Sequence, residues 1–126
     1  MADDKQLTDE QKKAQAMIRA IFEDGEAEIN GRVYKFTSMT HKQRRKVFAF
    51  LSRVAPAVDR KDLSFIDDPS FEPVEQIIHK AATFDDSLLS VLGDSHWEKY
   101  PSDYITFTTV ALQVISYPFM VADRTG

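Results

Sequence analysis

The side chains that could support acid-base chemistry or bind a metal ion are three histidines and two pairs of acids. His41, His79 and His96 lie in separate segments, and none has a second ligand three or four residues away, as a helical metal pair requires. The pairs Asp67-Asp68 and Asp85-Asp86 lie at predicted turns before helices, where capping explains them, and no calcium-binding loop pattern surrounds them. We therefore predict structural or surface roles for these residues and no metal site.

The sequence patterns of nucleophilic catalysis and of phosphate binding are also missing. The chain has no cysteine, which excludes thiolate nucleophiles, thiolate metal sites and disulfides and is typical of a reducing compartment. Its four glycines form no phosphate-binding loop, and no Gly-x-Ser-x-Gly motif occurs. We predict no catalytic residue, no cofactor, and a protein that is not an enzyme.

Aromatic side chains are concentrated near the end of the chain, with six in the 23 residues from Trp97 to Phe119. Tryptophan and tyrosine are favoured at protein interfaces because they bury a large area at a low entropy cost. Two interpretations stay open: these rings fill the core, or some of them bind a partner. The candidate partner-binding residues are Trp97, Tyr100, Tyr104, Tyr117 and Phe119.

A single uncharged stretch organises the predicted fold. No charged side chain occurs in the nineteen residues from Tyr104 to Ala122, although 29% of the chain is charged. On a helix, the apolar residues of this stretch cover about two thirds of the circumference. The remaining arc holds Thr106, Thr109, Gln113 and Ser116. With Ser102 as N-cap and Pro118 as a break, we predict a helix over 103–116 that is the most buried element.

Two other structures for this stretch are less consistent with its composition. Its many β-branched residues are typical of strands, but two-residue alternation fails, and about thirteen residues without a turn signal are long for a strand. A membrane span needs roughly 20 apolar residues, and the threonines, Gln113 and Pro118 suit hydrocarbon poorly. We expect other helices to surround this helix, or one of its sides to meet another chain.

The remaining elements are predicted from caps, turns and periodicity. Thr8 to Gln11 reads as a capping box that opens a first helix, with an apolar stripe at Ala14, Met17, Ile18, Ile21 and Phe22 and an end at Gly25. Asn30-Gly31 predicts a type I′ hairpin that pairs Ile29 with Arg32 and Glu26 with Lys35.

A second capping box, Thr40 to Gln43, opens a helix that should end at Ala55 before Pro56. A third helix is predicted from Pro73 to about Phe84, and a short one between Asp86 and Gly93. The fold class is therefore mainly α, a single domain of about five helices with one β-hairpin at Asn30-Gly31. The domain should span 8–119, with a disordered N-terminus at 1–7 and a loose tail at 120–126.

Charge is distributed unevenly along the chain. Residues 1–31 carry eight acids and four bases, residues 32–62 two acids and nine bases, and residues 63–126 ten acids and three bases. Within the basic segment, one helical face carries Lys42, Arg45, Lys46 and Arg53. This basic face could contact nucleic acid, the acidic half of the same fold, or a second copy. We expect self-association through it, and we consider nucleic acid less suited because no base-reading side chains are interspersed.

Several of these segments resemble one known family. The hairpin Asn30-Gly31-Arg32-Val33-Tyr34-Lys35-Phe36 is followed by the basic helix, a proline-broken connection and an acidic C-terminal half. That half carries Trp97-Glu98-Lys99-Tyr100-Pro101 and Ile115-Ser116-Tyr117-Pro118-Phe119. Over about residues 7–120, this order resembles the small tail assembly chaperones of long-tailed bacteriophages of the lambdoid type.

The resemblance implies a non-enzymatic assembly factor of the host bacterial cytoplasm that is absent from the mature virion. Such proteins bind the tape measure protein, keep its apolar helices soluble, and help to recruit the major tail protein. Many are also made as a longer, frameshifted product. Two alternatives stay open: a small nucleic-acid-associated regulator that uses the Lys42–Arg53 face, and a plain oligomeric adaptor domain. The absence of an apolar run after Met1 agrees with a cytoplasmic location and with no membrane partner.

Overall fold

The computed structural model describes residues 9–121. The helices of this part are α1 (Asp9–Asp24), α2 (His41–Asp59), α3 (Phe71–Lys80), α4 (Leu89–Leu92), α5 (Asp94–Lys99) and α6 (Pro101–Val121). The strands are β1 (Glu26–Ile29), β2 (Arg32–Phe36), β3 (Ala82–Phe84) and β4 (Ser87–Leu88), and a 3-10 helix spans Ser64–Asp67. The predicted mainly helical single domain is confirmed.

Helix α6 is the most buried element, as predicted. Its buried residues are Asp103, Phe107, Thr108, Val110, Ala111, Leu112, Val114, Ile115 and Ser116. One side of α6, including Phe107 and Leu112, belongs to the main core, whereas Val110 and Val114 form a smaller core with Ile18 of α1. The helix begins at Pro101, before the predicted N-cap Ser102, because the fixed φ of proline suits the first position of a helix.

The hairpin centred on Asn30-Gly31 has the predicted register, from the Ile29–Arg32 pair to the Glu26–Lys35 pair. Asn30 and Gly31 have φ values of 53° and 84°, and a type I′ turn requires positive φ at both central positions. The inner face of the hairpin is formed by Ala27, Ile29, Tyr34 and Phe36. The hairpin therefore covers the core, and its outer face carries Glu26, Glu28, Val33 and Lys35, which are exposed.

The prediction of a single hairpin was wrong, because a second one extends the sheet. The third helix ends at Lys80, and Ala82–Phe84, assigned to that helix from the sequence, forms β3. β3 pairs antiparallel with β2, and β4 completes the sheet in the order β1-β2-β3-β4. Asp85 and Asp86, which were expected to cap a helix, form the connecting turn with φ values of 53° and 67°. Ala82–Phe84 forms a strand despite its helical sequence pattern because β2 has a free edge with which it can pair, and strand propensity depends on such pairing.

Two helices continue through prolines that were predicted to end them. α2 includes Pro56 and ends at Asp59, and α6 includes Pro118 and ends at Val121. Each proline removes one backbone hydrogen bond, but the turn that follows contributes packing. Val58 packs against the main core, and the ring of Phe119 stacks on Phe48 with centroids 5.2 Å apart. α6 therefore extends two residues into the segment 120–126 that was predicted to be a loose tail.

Of the remaining predictions, one is confirmed, one holds only in part, and some concern residues outside the described part of the chain. The capping box of Thr40 and Gln43 is confirmed, because Thr40 Oγ1 accepts from the Gln43 backbone and Gln43 Oε1 from that of Thr40. The apolar stripe of α1 is only partly buried: Met17 is 50% exposed. Thr8, residues 1–7 and residues 122–126 lie outside the described part. Within residues 9–121, no helix is long and apolar enough to cross a membrane.

Among the described residues, the hydroxyl oxygen of Ser116 is the one buried side-chain polar atom that lacks a hydrogen-bond partner. The residue is fully buried on α6, so its hydroxyl has lost its hydration without compensation. We expect Ser116→Ala to raise the free energy of unfolding by about 1 kcal/mol, since it removes that penalty and improves helix propensity. Chemical denaturation would measure this change, and Ser95→Ala, on an exposed hydroxyl bonded to the Leu92 carbonyl, is a control expected to give no gain.

Candidate functional site

The buried carboxylate of Asp103, in the first turn of α6, accepts hydrogen bonds from side chains near the tip of the first hairpin. Its Oδ1 accepts from Asn30 Nδ2 at 2.7 Å and from an Arg32 guanidinium nitrogen at 3.0 Å. Its Oδ2 accepts from Arg32 Nε at 2.6 Å and from the Tyr34 hydroxyl at 2.7 Å. Arg32 binds in the bidentate geometry that favours arginine–carboxylate pairs. We call Asn30, Arg32, Tyr34, His96 and Asp103 the polar cluster.

The polar cluster extends to α5 through His96. His96 Nε2 lies 2.8 Å from the Tyr34 hydroxyl oxygen. Because that hydroxyl donates its proton to Asp103, Nε2 must be the protonated ring nitrogen and donate to the tyrosine oxygen. The Arg32 guanidinium carbon lies 4.1 Å from the centroid of the Tyr100 ring. Three separate elements, β2, α5 and α6, are thus joined by one network.

The electrostatics of the polar cluster hold each group in one protonation state. Hydrogen bonds from Arg32, supported by those from Asn30 and Tyr34, lower the pKa of Asp103 to about 2, against the cost of its burial. Burial, followed by the hydrogen bond to Asp103, raises the pKa of Tyr34 well above its usual range. Burial also lowers the pKa of His96, against the attraction of Asp103. A carboxylate held this firmly ionised is a poor general base. We therefore interpret the network as a structural feature that stabilises the fold.

We expect folding stability to depend on pH in two ranges, one determined by His96 and His79 and the other by Asp103. Burial lowers the pKa of His96 and, on α3, that of His79, whose neighbours Glu75 and Asp94 oppose the shift. Both rings bind protons more readily when unfolded, so their contribution to stability is complete above their ordinary pKa of 6.5 and is lost as the pH falls below it. The contribution of Asp103 is complete above its ordinary pKa of 3.8 and is lost as the pH falls towards about 2.

We therefore expect the free energy of unfolding, measured in urea, to decrease from pH 7 to pH 5 and to decrease again below pH 4. The variant His79→Gln/His96→Gln should flatten the first decrease and leave the second in place. His41→Gln is the matched control, since His41 is exposed. A profile that is level between pH 7 and pH 5 would contradict the role of the buried His96 and the half-buried His79.

The structure brings three of the five candidate partner-binding aromatics together beside the polar cluster. Trp97 stacks on Tyr34 with ring centroids 6.1 Å apart and meets Tyr104 edge-on at 5.2 Å. Tyr100 lies beneath Arg32 and 5.2 Å from the His96 ring. The Tyr104 hydroxyl donates to a carboxylate oxygen of Glu75 on α3. All three residues are half-buried, so each packs against the domain and keeps part of its surface exposed.

The other two candidates, Tyr117 and Phe119, lie at the far end of α6. Tyr117 packs on Phe22 of α1 with centroids 5.1 Å apart. Phe119 packs between His41 and Phe48 of α2. Both rings are also half-buried. The five predicted aromatics therefore form two groups at opposite ends of α6, and they do not form one continuous patch.

The four cations of the basic face are exposed along α2. Arg53 is partly engaged, because it donates to Ser70 Oγ at 2.8 Å and lies over the ring of Phe50. Arg44, which the sequence analysis did not include, turns inward and donates to the carbonyl of Ile115 at 3.0 Å. Lys42, Arg45 and Lys46 thus constitute the available part of the predicted self-association surface.

Sequence reasoning missed the polar cluster, although one signal pointed to it. In the predicted register, Arg32 lies opposite Ile29 and on the same face as Tyr34, so a cation is directed toward the core. A buried cation needs an anionic partner, and Asp103 is the last acid before the long uncharged stretch. Asp103 entered the sequence-based prediction only as the first residue of the helix over 103–116. Among the described residues, no group of three His, Cys, Asp or Glu side chains could hold a metal ion.

A groove of about 490 Å³ lies between α1 and the C-terminal part of α6. Its walls include Lys12, Ala16, Ala20, Gln113 and Met120. Met120 is 49% exposed, so the groove has apolar surface that no described segment of the chain covers.

Comparison with protein-family models, with curated proteins and with solved structures finds no match to this chain. The fold and the site define a small, mainly helical domain that is stabilised by a network of buried polar groups. Its surface carries half-buried aromatics, the basic face and an apolar groove. Such surfaces are suited to binding other macromolecules.

Proposed function

We propose that this protein is a non-enzymatic tail assembly chaperone of a long-tailed bacteriophage. In this role it binds the apolar helices of the tape measure protein, keeps them soluble in the host cytoplasm, and helps to recruit major tail protein subunits. The chain then needs binding surfaces and no reactive group, which agrees with the firmly ionised state of Asp103. Apolar helices of a partner would be bound by hydrophobic and aromatic side chains presented at grooves.

One observation carries this proposal: the segments that resemble the chaperone family are in contact with each other. The hairpin at Asn30–Phe36 and the segment at Trp97–Pro101 are far apart in the sequence, yet Arg32 lies over Tyr100 and Tyr34 stacks on Trp97. The third segment reaches the basic helix, where Phe119 packs on Phe48. Residues shared with a family for a common fold would be expected to interlock in this way.

The proposal is tested by co-expressing the chain with a candidate tape measure protein. We expect the tape measure protein to move from the insoluble to the soluble fraction and to co-purify with the chain. A tape measure protein that stays insoluble and does not co-purify, beside a folded and soluble chain, would contradict the proposal.

Two matched variants locate the partner-binding end of α6. Trp97→Ala removes a ring from the group beside the polar cluster, and Phe119→Ala removes one from the opposite end. If one group binds the partner, one variant should lose co-purification while the other retains it. Circular dichroism of both variants separates loss of binding from loss of folding. Retention by both folded variants would place the partner surface elsewhere.

Self-association through the basic face is part of the same proposal. A basic surface on one copy and an acidic surface on another form a head-to-tail contact, which repeats into a ring or a spiral. Exposed ion pairs contribute about 0–1 kcal/mol each, so apolar contact must supply most of the affinity. We expect oligomers that weaken between about 0.05 and 0.5 M salt, because charge screening shortens to a few ångströms.

Sedimentation velocity measures this prediction on the variant Lys42→Glu/Lys46→Glu, which we expect to reduce the oligomer at least severalfold. Lys80→Glu is the matched control, with the same kind of charge reversal on the exposed Lys80 of α3, outside the basic face. Oligomers that are indifferent to salt and to the double reversal would leave the basic face without a role in assembly.

A nucleic-acid-associated regulator is the second candidate, and the exposure of Lys42, Arg45 and Lys46 favours it. Phosphate contacts by these cations would give binding that falls steeply as salt rises. Fluorescence anisotropy with duplex DNA at 150 mM salt distinguishes the two functions. We expect no binding there, and tight binding with a steep salt dependence would favour the regulator.

A further inference from the structure

The outward face of α1 is exposed although its central residues are apolar. Ala16, Met17 and Ala20 lie on this side of the helix, and Met17 keeps 50% of its surface exposed. Positions three and four residues apart share one side of a helix, so these three form a continuous strip. The strip points away from Ile18, which is buried against α6. No described segment of the chain covers it.

Opposite charges lie at the two ends of this strip. Lys13 precedes it and Asp24 follows it, and both are exposed. Asp24 follows Lys13 by eleven positions, which is about three helical turns, so they point the same way about 16 Å apart along the axis. Within residues 9–121, neither side chain takes part in an ion pair. We call Lys13, Ala16, Met17, Ala20 and Asp24 the α1 face.

We propose that the α1 face binds the same face of a second copy of this chain, with the two helices antiparallel about a twofold axis. A twofold contact must be complementary to itself. In this arrangement Lys13 lies against Asp24 of the other copy, and Asp24 against its Lys13, so both ion pairs form at once. Met17 lies against Ala20 of the other copy, where a small side chain leaves room for the thioether.

Met17 of the other copy would lie at the edge of the groove beside α1, against Ala20. Ala16 and Ala20 line the groove, and the half-exposed Met120 of α6 lines it as well. A methionine side chain adapts readily to an irregular apolar recess. The charged ends of the α1 face fix the antiparallel direction, because a parallel pair would place Lys13 beside Lys13 and Asp24 beside Asp24.

The predicted dimer is weak and distinct from the head-to-tail contact of the basic face. A single helix pair buries less surface than the standard interface of about 1,600 Å², so we expect the dimer to form only at high protein concentration. The dimer uses no residue of α2, and it does not depend on the function proposed above. It also stops at two copies, whereas a head-to-tail contact continues.

Charge reversal in matched single variants tests the pairing. Lys13→Glu places two acids opposite each other twice in a homodimer, and Asp24→Lys places two lysines opposite each other twice. Each variant alone should dimerise about tenfold or more weakly than the original chain. An equimolar mixture of the two variants restores both ion pairs in a heterodimer, so dimerisation should return. Lys46→Glu, on the basic face, should leave this dimer unchanged.

Sedimentation velocity of the full chain from about 5 to 500 μM at low salt, with circular dichroism to verify folding, is the measurement. A dimer that each single variant weakens and the mixture restores is the expected result. The proposal is overturned if the chain is monomeric over the whole range, or if the single variants associate as the original chain does. Weakening by both variants without recovery in the mixture overturns it as well, because it excludes the antiparallel register.

Discussion

Asp103→Ala should lower the free energy of unfolding by about 3 kcal/mol, the low end of the usual cost of breaking a buried ion pair, because the Arg32 side chain is 28% exposed. Asp103 is fully buried, and its carboxylate accepts hydrogen bonds from Asn30, Arg32 and Tyr34. The alanine leaves an arginine with no anionic partner at the edge of the core and a tyrosine hydroxyl with one partner fewer. Thermal and urea unfolding measure the change.

Two further variants separate the buried ion pair from a general effect of losing a carboxylate. Asp67→Ala removes an exposed acid from the 3-10 helix and should change stability by less than about 0.5 kcal/mol. Arg32→Met combined with Asp103→Leu removes both charges and should cost less than Asp103→Ala alone, because no charge is then left without its partner. A double variant that is at least as unstable as the single one would contradict this explanation.

Phe107→Ala should lower the free energy of unfolding by about 3–5 kcal/mol, the range for deleting a buried aromatic ring. Phe107 is fully buried at the centre of α6. Its ring contacts Tyr34 at a centroid distance of 5.1 Å, Trp97 at 5.6 Å and Phe36 at 6.0 Å. The cavity would open where the sheet, α5 and α6 meet, and these elements cannot all move inward to fill it.

Ile105→Ala is the control on the same helix, because Ile105 is 38% exposed and deleting its side chain leaves no enclosed cavity. We expect a loss of about 1 kcal/mol or less. Similar losses for Phe107→Ala and Ile105→Ala would mean that the interior of the domain rearranges around α6 and that α6 is not its fixed centre.

Local patterns predicted those features of the fold that depend on local chemistry. The type I′ turn at Asn30-Gly31 and the capping box at Thr40 each determine the local backbone conformation. The register of the hairpin and the start of α2 could therefore be predicted from the sequence. The uncharged stretch identified α6 as the buried helix, because burial excludes unpaired charges from a long segment.

The features that the sequence did not reveal depend on contacts between distant segments. β3 carried a helical pattern and became a strand because β2 had a free edge to pair with. Pro56 and Pro118 stayed within helices because the last turns pack against the rest of the domain. For the candidate site, the sequence identified the aromatic and basic residues. The separation of the aromatics into two groups at opposite ends of α6 depends on how the helices pack, which the sequence did not reveal.

We expect the polar cluster also to influence the order in which the domain packs during its synthesis. Asn30 and Asp103 are 73 residues apart in the chain, and synthesis proceeds from the N-terminus at about 5–20 residues per second. The first hairpin therefore leaves the ribosome well before the carboxylate that pairs with Arg32 exists. Until residue 103 has emerged, the inner face of that hairpin carries an unmatched cation and cannot settle into a dry core. The first hairpin therefore cannot complete its packing until residue 103 has been made.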